Sequence, residues 1–451
     1  MMMTVALMVL QTTATRGQET AEQADMDTEN PELAAFSPEM EDSIGATKDT
    51  IGVNELWRLL PEVARPSMSK IELPGGYADE MRTFVGKMDS VLLLGEGSVS
   101  IVHMGGSHVQ ADLYTDIFRH RIDSLNMGKR SARGYIFPYS VAKTNNPLGY
   151  RTRYGGKWSK GRCVGRRAAP TLGAGGMAIY TEDLNAWFSI DMNRDSSGRW
   201  WTDRVRLLGR STRGHLHPVL TVAEDEGPRD YRPAEEDSIG YIFRLREATN
   251  YMRIGIEADS AWRRGDGDTF VVTGILPENG EGGIVYHSIG VNGASLTSYL
   301  SCGLLEAEMR AMKPDLVIMA IGINDASGAR FDTAQFRQNY ERLIDRIRSA
   351  SPECAFLFIT NNDSYKRAGR RKRVLNTNGE TARETFKTIA AECGGGVWDL
   401  YEVMGGLGSS EEWRKTGLMQ RDRVHFTRLG YKIVGEMLYD AFVKFYADDC
   451  E

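Results

Sequence analysis

Asp315-Leu-Val-Ile-Met-Ala-Ile321 runs directly into Gly322-Ile-Asn-Asp325. An unbroken apolar run of this length, stopped by a glycine and two short polar residues, reads as a strand buried on both faces of a parallel sheet. The polar residues then fall where that strand leaves the sheet. The same alternation spreads outward. Residues 296–312 before it read as a helix. So do residues 331–349 after it, with an apolar stripe at Phe336, Tyr340, Leu343, Ile344 and Ile347. Further strands are expected at Ile284-Val-Tyr-His-Ser-Ile289, Ala355-Phe-Leu-Phe-Ile359 and Val397-Trp398, and further helices at 381–393 and 430–446. Strands alternating with helices predict an α/β domain with a parallel sheet covered on both sides.

Far upstream, an apolar run from Val99 to Val102 leads into His103-Met-Gly-Gly-Ser-His108 and a stretch, 111–122, that can be helical. A strand that turns sharply through glycines into a helix exposes the turn residue at the carboxyl edge of the sheet, where open α/β sheets place nucleophiles and ligands. Ser107 occupies that turn. His103 ends the strand and reads as a core residue with satisfied hydrogen bonds. Two helices precede it: a short one around Val53, Leu56, Trp57, Leu59 and Leu60, and one over 81–94.

Between these parts, residues 134–280 change texture. Gly, Arg and Trp are frequent, and short strand-like runs such as 177–180, 186–190, 205–208, 240–245, 252–256 and 269–273 follow one another without a long amphipathic helix. This predicts a β-sandwich inserted after the first strand-helix unit. The expected organisation is a possible signal segment and disordered acidic linker over 1–50, a first α/β part over 51–133, the insertion over 134–280 and a second α/β part over 281–451. Residues 1–10 are apolar but lack a preceding Lys or Arg, so a secretory signal is only suggested. Residues 16–50, rich in Glu, Asp, Thr and Ala, hold too little apolar surface to order themselves.

The chain has 451 residues, 41% hydrophobic and 26% charged, with a formal net charge of −6. No basic block points to nucleic acid; the densest run, 366–373, reads as a solvated face. No stretch approaches the ~20 apolar residues of a membrane span. The five cysteines (Cys163, Cys302, Cys354, Cys393, Cys450) lack metal-ligand spacing, and an odd count excludes a fully paired intrachain framework. Cys354 reads as core. No cofactor motif is present.

Three later stretches sit at expected functional loops: Gly290-Val-Asn-Gly-Ala294, Gly322-Ile-Asn-Asp325 and Asp422-Arg-Val-His425. A serine hydroxyl needs an imidazole to take its proton, and the imidazole needs a carboxylate to fix its tautomer. Asp422 and His425 can be aimed together by one turn. The Ser107 and Gly293 backbone N–H groups and the Asn324 amide can surround a developing oxyanion.

These residues together resemble the SGNH (GDSL-like) hydrolases, named for Ser, Gly, Asn and His in four separated blocks. The matches are Ser107 in Gly-Gly-Ser-His, Gly293 in Gly-Val-Asn-Gly, Asn324 in Gly-Ile-Asn-Asp and His425 in Asp-Arg-Val-His. The resemblance covers 97–125 and 283–447. It implies a flavodoxin-like three-layer sandwich with a central parallel sheet, here interrupted by a β-sandwich or jelly-roll domain. It also implies Ser107 as nucleophile, His425 as base, Asp422 as third member, and Ser107, Gly293 and Asn324 as the oxyanion hole, without a metal. One position departs from the pattern: Gly106 stands where the family has Asp.

An insertion between the first two blocks is similar to bacterial peptidoglycan O-acetylesterases, in which a carbohydrate-binding-like module interrupts the hydrolase. Phe137-Pro-Tyr139, Thr144-Asn-Asn-Pro147, Asn361-Asn-Asp-Ser-Tyr365 and Trp398-Asp-Leu-Tyr401 resemble phrases of SGNH proteins from Bacteroidetes-type bacteria. The implied substrate is an acetylated glycan, peptidoglycan or another polysaccharide, met outside the cytoplasm. Other readings are a carbohydrate-binding envelope protein whose hydrolase site has lapsed, and an SGNH lipase or thioesterase. Trp158, Trp187, Trp200, Trp201 and Trp262 either stack on sugars or fill the sandwich. Trp413 and residues 404–407 either shape the cleft or fill a loop. Oligomeric state leaves no trace in the sequence.

Overall fold

A computed structural model describes residues 53–126, 128–165, 171–193, 198–369 and 372–449. The expected signal segment and acidic linker, 1–50, lie outside them. The central sheet has the order Ile71–Glu72, Gly396–Trp398, Ala355–Ile359, Leu316–Ala320, Ser98–Gly105, Gly283–Gly290. Only Ile71–Glu72 is antiparallel to its neighbour. Taken in chain order, the five parallel strands lie 2-1-3-4-5, the flavodoxin-like arrangement, whose switch point lies at the carboxyl end of the first strand. Ser98–Gly105 is therefore interior, between Gly283–Gly290 and Leu316–Ala320. Its apolar side chains are buried on both faces, as the Val99 to Met104 run requires.

Helices Asp79–Leu93, Tyr114–Asp123 and Arg428–Asp449 share one face, meeting through Phe84, Phe118 and Phe442. The opposite layer packs Leu305–Met312 on Thr333–Ala350 and Thr333–Ala350 on Asn378–Cys393. The helix expected over 296–312 is two helices, Leu296–Leu300 and Leu305–Met312. A capping box at Ser295 and Ser298 starts the first, and Gly303, which favours helix ends over interiors, lies between them. Likewise 111–122 is not continuous. Asp112 adopts φ 48° and separates Ser107–Gln110 from Tyr114–Asp123.

The insertion is an antiparallel sandwich of one six-stranded and one five-stranded sheet. All six expected strand runs are present. Arg151–Gly155, Ser159–Arg162, Leu216–Glu224, Gly227–Tyr231 and Glu235–Asp237 join them. Its core is continuous with one face of the α/β domain: Phe188, Leu207 and Val272 belong to the same buried cluster as Val291, Tyr299 and Met319. Trp200 is buried in the sandwich. The Arg253 guanidinium covers the ring of Trp187 at 4.3 Å.

The chain enters the insertion by climbing the free edge of the central sheet. At Gly134, φ is 88° and a Cβ would lie 2.2 Å from the Tyr286 carbonyl oxygen, so only glycine permits this approach. Tyr135 N–H then donates to His287 Nδ1 at 3.0 Å, and the Tyr139 hydroxyl donates to Gly290 O at 2.9 Å. The otherwise unpaired edge strand is thus covered from Tyr286 to Gly290. Buried Arg119 and Arg133 both bind Asp112, fixing the entry segment to the corner after Ser107–Gln110.

Glu308 pins the seam from the other side. It projects from helix Leu305–Met312 into the insertion, accepting from Ala174 N at 2.7 Å and from the Thr273 hydroxyl. Burial raises its carboxyl to about 7, against the lowering effect of these hydrogen bonds. An unfolded glutamate loses its proton first, so this group's stabilising contribution, full below the unfolded value of 4.5, is lost as pH rises through 7. The shift is worth about 3 kcal/mol. Denaturant unfolding at about pH 5 and pH 8 is expected to show wild type losing that much more stability than Glu308→Gln over the interval. Equal losses in the two proteins would exclude Glu308 as the titrating group.

Candidate active site

Ser107, His425 and Asp422 meet at the carboxyl edge of the sheet. Ser107 Oγ lies 2.8 Å from His425 Nε2, and His425 Nδ1 lies 2.7 Å from Asp422 Oδ2. The serine side is set by the central strand. Ser98–Gly105 ends, Gly106 turns the chain, and Ser107 starts the short helix Ser107–Gln110. The Tyr299 hydroxyl donates to Gly105 O at 2.7 Å and Val291 N–H donates to the same oxygen at 3.3 Å.

The histidine is held by a turn closed on itself. Asp422 Oδ1 accepts from the N–H groups of Val424 at 2.9 Å and His425 at 3.0 Å, and Arg423 between them has φ 57°. Burial alone would push the Asp422 carboxyl up. Its hydrogen bond and charge interaction with His425, aided by those N–H donors, hold it at about 2. Asn362 Nδ2 donates to Val424 O at 3.0 Å, and Gln420 N–H to His425 O at 2.8 Å. Trp413 is fully buried against Phe426, donating from Nε1 to Met404 O, so it supports this loop rather than facing a cleft. Leu407, by contrast, is exposed.

Gly293 and Asn324 face the same turn from neighbouring loops. Gly293 has φ 78°, which its loop obtains cheaply only from glycine. Asn324 Nδ2 donates to Ala294 O at 2.8 Å. Asp325 accepts from Leu296 N–H, and burial raises its carboxyl to about 6. Gly106 borders this group: a Cβ there would lie 3.4 Å from Asn324 Nδ2. The family's usual aspartate would thus start its side chain beside the Asn324 amide.

Some participants escaped the sequence reading. His108 lies beside His425, ring centroids 5.2 Å apart, and bonds through Nδ1 to the Tyr431 hydroxyl at 2.8 Å. His108, Ile323 and Phe426, each adjacent in sequence to a candidate residue, line one cavity of about 30 Å³ with Asn361 and Trp398. Gln110, Asn145 and Asn292 form an amide cluster beside Gly293. Gln110 is in the serine block and Asn145 in Thr144-Asn-Asn-Pro147, but contact between them has no signature in spacing. His103 is buried, with both ring nitrogens bonded, to the Tyr286 and Tyr114 hydroxyls. Among the described residues no group of three or more His, Cys, Asp or Glu is arranged to hold a metal, and no helix is long and apolar enough to cross a membrane.

Residues 259–433 match the GDSL-like Lipase/Acylhydrolase family. The match covers most of the second α/β part of the chain. It supports a carboxylic ester hydrolase. The matched span begins beyond Ser107, because the insertion separates the serine block from the rest of the GDSL-like domain. A solved structure of a peptidoglycan O-acetylesterase is 22% identical, with a TM-score of 0.65, and the alignment covers 86% of this chain and 99% of that one. It therefore shares the GDSL-like fold together with its insertion. A lipase/acylhydrolase from Enterococcus faecalis is 27% identical over 35% of this chain and 74% of that one, with a TM-score of 0.28. An acetyl xylan esterase is 18% identical over 35% and 80%, also with a TM-score of 0.28. No curated protein matches the sequence.

Burial, its leading cause, lowers His103, His108 and His287 to about 3; the adjacent His425 lowers His108 further. Their imidazole resonances are expected to stay flat in an NMR titration from about pH 5 to pH 9. A His108 midpoint inside that range would show that its site is wetter than the packing implies.

Proposed function

We propose that the protein is a serine esterase removing acetyl, or another short acyl group, from hydroxyls of a bacterial cell-wall glycan. The observation that carries this reading is the continuous hydrogen-bonded path Ser107–His425–Asp422, with its serine at the start of a helix and the Gly293 and Asn324 loops alongside. Ser107 Oγ attacks the ester carbonyl and passes its proton to His425 Nε2. Asp422 keeps the opposite ring nitrogen protonated and offsets the charge gained by the imidazole. The Ser107 and Gly293 N–H groups and the second hydrogen of the Asn324 amide stabilise the oxyanion.

Collapse of the tetrahedral intermediate breaks the ester C–O bond, and His425 returns its proton to the departing glycan oxygen. Water, giving its proton to His425, then attacks the acyl-enzyme. A second collapse releases the acid and restores Ser107. Every step is proton transfer and acyl transfer, for which the side chains named here suffice.

The glycan part rests on the fold likeness to a peptidoglycan O-acetylesterase across the insertion as well as the hydrolase. Work on peptidoglycan would put the enzyme outside the cytoplasmic membrane. Acetate release from O-acetylated peptidoglycan is expected to exceed release from acetylated xylan and from lipid esters. Ser107→Ala should abolish it, and Asp422→Asn should lower kcat by about 10³–10⁴. Unchanged turnover by Ser107→Ala would sink the mechanism. Faster turnover of lipid esters would reassign the substrate, and absence of turnover on every ester would favour a lapsed, glycan-binding site.

A further inference from the structure

We propose that Gln110 and Asn145 are positioning residues for loop 290–293, so that the segment leading into the insertion sets the geometry of the oxyanion hole. This rests on the esterase reading, because it concerns the donor that Gly293 supplies in it. The loop carries that donor but has little regular structure of its own. It is held by contacts from two other parts of the chain.

The first is the helix that begins at Ser107. Gln110, one turn later and fully buried, accepts the Asn292 N–H on Oε1 at 2.7 Å. This bond fixes the Val291–Asn292 peptide, one link before the Asn292–Gly293 peptide whose N–H is the donor. The helix also touches the loop's start, since a Cβ on Gly290 would lie 2.1 Å from Gln110 N. Serine and loop are thereby referred to one short helix.

The second is the entry segment of the insertion. Having climbed the edge strand, it delivers Tyr139 to Gly290 O and Asn145 to the amide cluster. Asn145 Oδ1 accepts from both partners, Asn292 Nδ2 at 2.8 Å and Gln110 Nε2 at 2.8 Å, and over a longer distance from the neighbouring Thr144 hydroxyl at 3.3 Å. Gln110 Nε2 also lies 3.1 Å from Thr144 Oγ1. Each Gln110 amide atom has a separate task, the oxygen holding the loop and the nitrogen holding the insertion. Asn145 acts only as an acceptor toward both partners, so a carboxylate can replace its amide there and an alkyl group cannot.

Oxyanion stabilisation depends steeply on donor placement, because the charge exists only in the transition state and its donors must already be in position. A loop that wanders should therefore lower kcat and spare KM. The test measures kcat, KM, unfolding midpoint and inhibition by an alkylboronic acid, which forms a tetrahedral adduct on the serine, for Gln110→Met, Asn145→Leu and Asn145→Asp. Gln110→Met and Asn145→Leu are expected to lower kcat about 10- to 100-fold, below the cost of deleting a donor outright. KM should stay within about threefold, and boronate affinity should fall in step with kcat. Asn145→Asp should recover most of the rate lost in Asn145→Leu.

Ser107→Ala, run alongside, separates the two readings. If it retains turnover, the esterase mechanism fails first. If it is inactive while Gln110→Met and Asn145→Leu fold and keep wild-type kcat, the positioning role is wrong. A raised KM with unchanged kcat would also overturn it, assigning the cluster to substrate contact instead. Equal losses in Asn145→Leu and Asn145→Asp would remove the acceptor argument. Asn145, half-buried, carries the test by itself if Gln110→Met does not fold.

Discussion

Two donors converge on the carbonyl of Gly105: the Tyr299 hydroxyl and the Val291 N–H. That oxygen closes the central strand and opens the turn to Ser107, so whatever fixes it fixes where the serine begins. Tyr299 comes from helix Leu296–Leu300, after the Gly293 loop, and Val291 from the loop itself. One acceptor therefore ties the serine turn to the loop that faces it. Sheet order makes this possible, since Ser98–Gly105 is flanked by the strands leading to Gly293 and Asn324. Three loops leaving adjacent parallel strands at one level can share a site without long excursions.

The histidine has no such neighbour in the sheet and needs its own support. Its turn precedes the last helix. It is stabilised by Asp422 accepting from two backbone N–H groups, by Asn362 beyond strand Ala355–Ile359, and by buried Trp413 beneath Phe426. The polar run Asn361-Asn-Asp-Ser364, buried at the sheet edge, makes sense in this light. Buried amides are costly unless paired, and Asn362 spends its donors on Asp363 O and on the His425 turn.

The hydrolase architecture was legible because its signals are local and periodic. Asp315 to Asp325 states a buried strand and its functional loop in consecutive residues; Ser107, Gly293 and Asn324 each lie at such a boundary, and His425 lies just before the last helix. Other features were not. The break at Gly303 sits inside an otherwise good helical pattern. Arg151–Gly155 is exposed and basic, so it lacks an apolar rhythm and its strand pairing is tertiary in origin. The five insertion tryptophans could not be sorted from sequence, because burial in a sandwich depends on which face each strand turns inward. The Gln110–Asn145–Asn292 cluster joins parts of the chain that no spacing rule connects.

An inserted domain is often regarded as an appendage whose removal would leave the parent fold intact. Here the physics points the other way. Without the insertion, Gly290 O on the edge strand would lose its Tyr139 donor, Glu308 would lose the Ala174 N–H and the Thr273 hydroxyl, and the shared apolar cluster would be opened to water. Each cost falls on the face that leads to the Gly293 loop. The insertion and the hydrolase are thus two lobes around one core, and the geometry at the serine is a property of both.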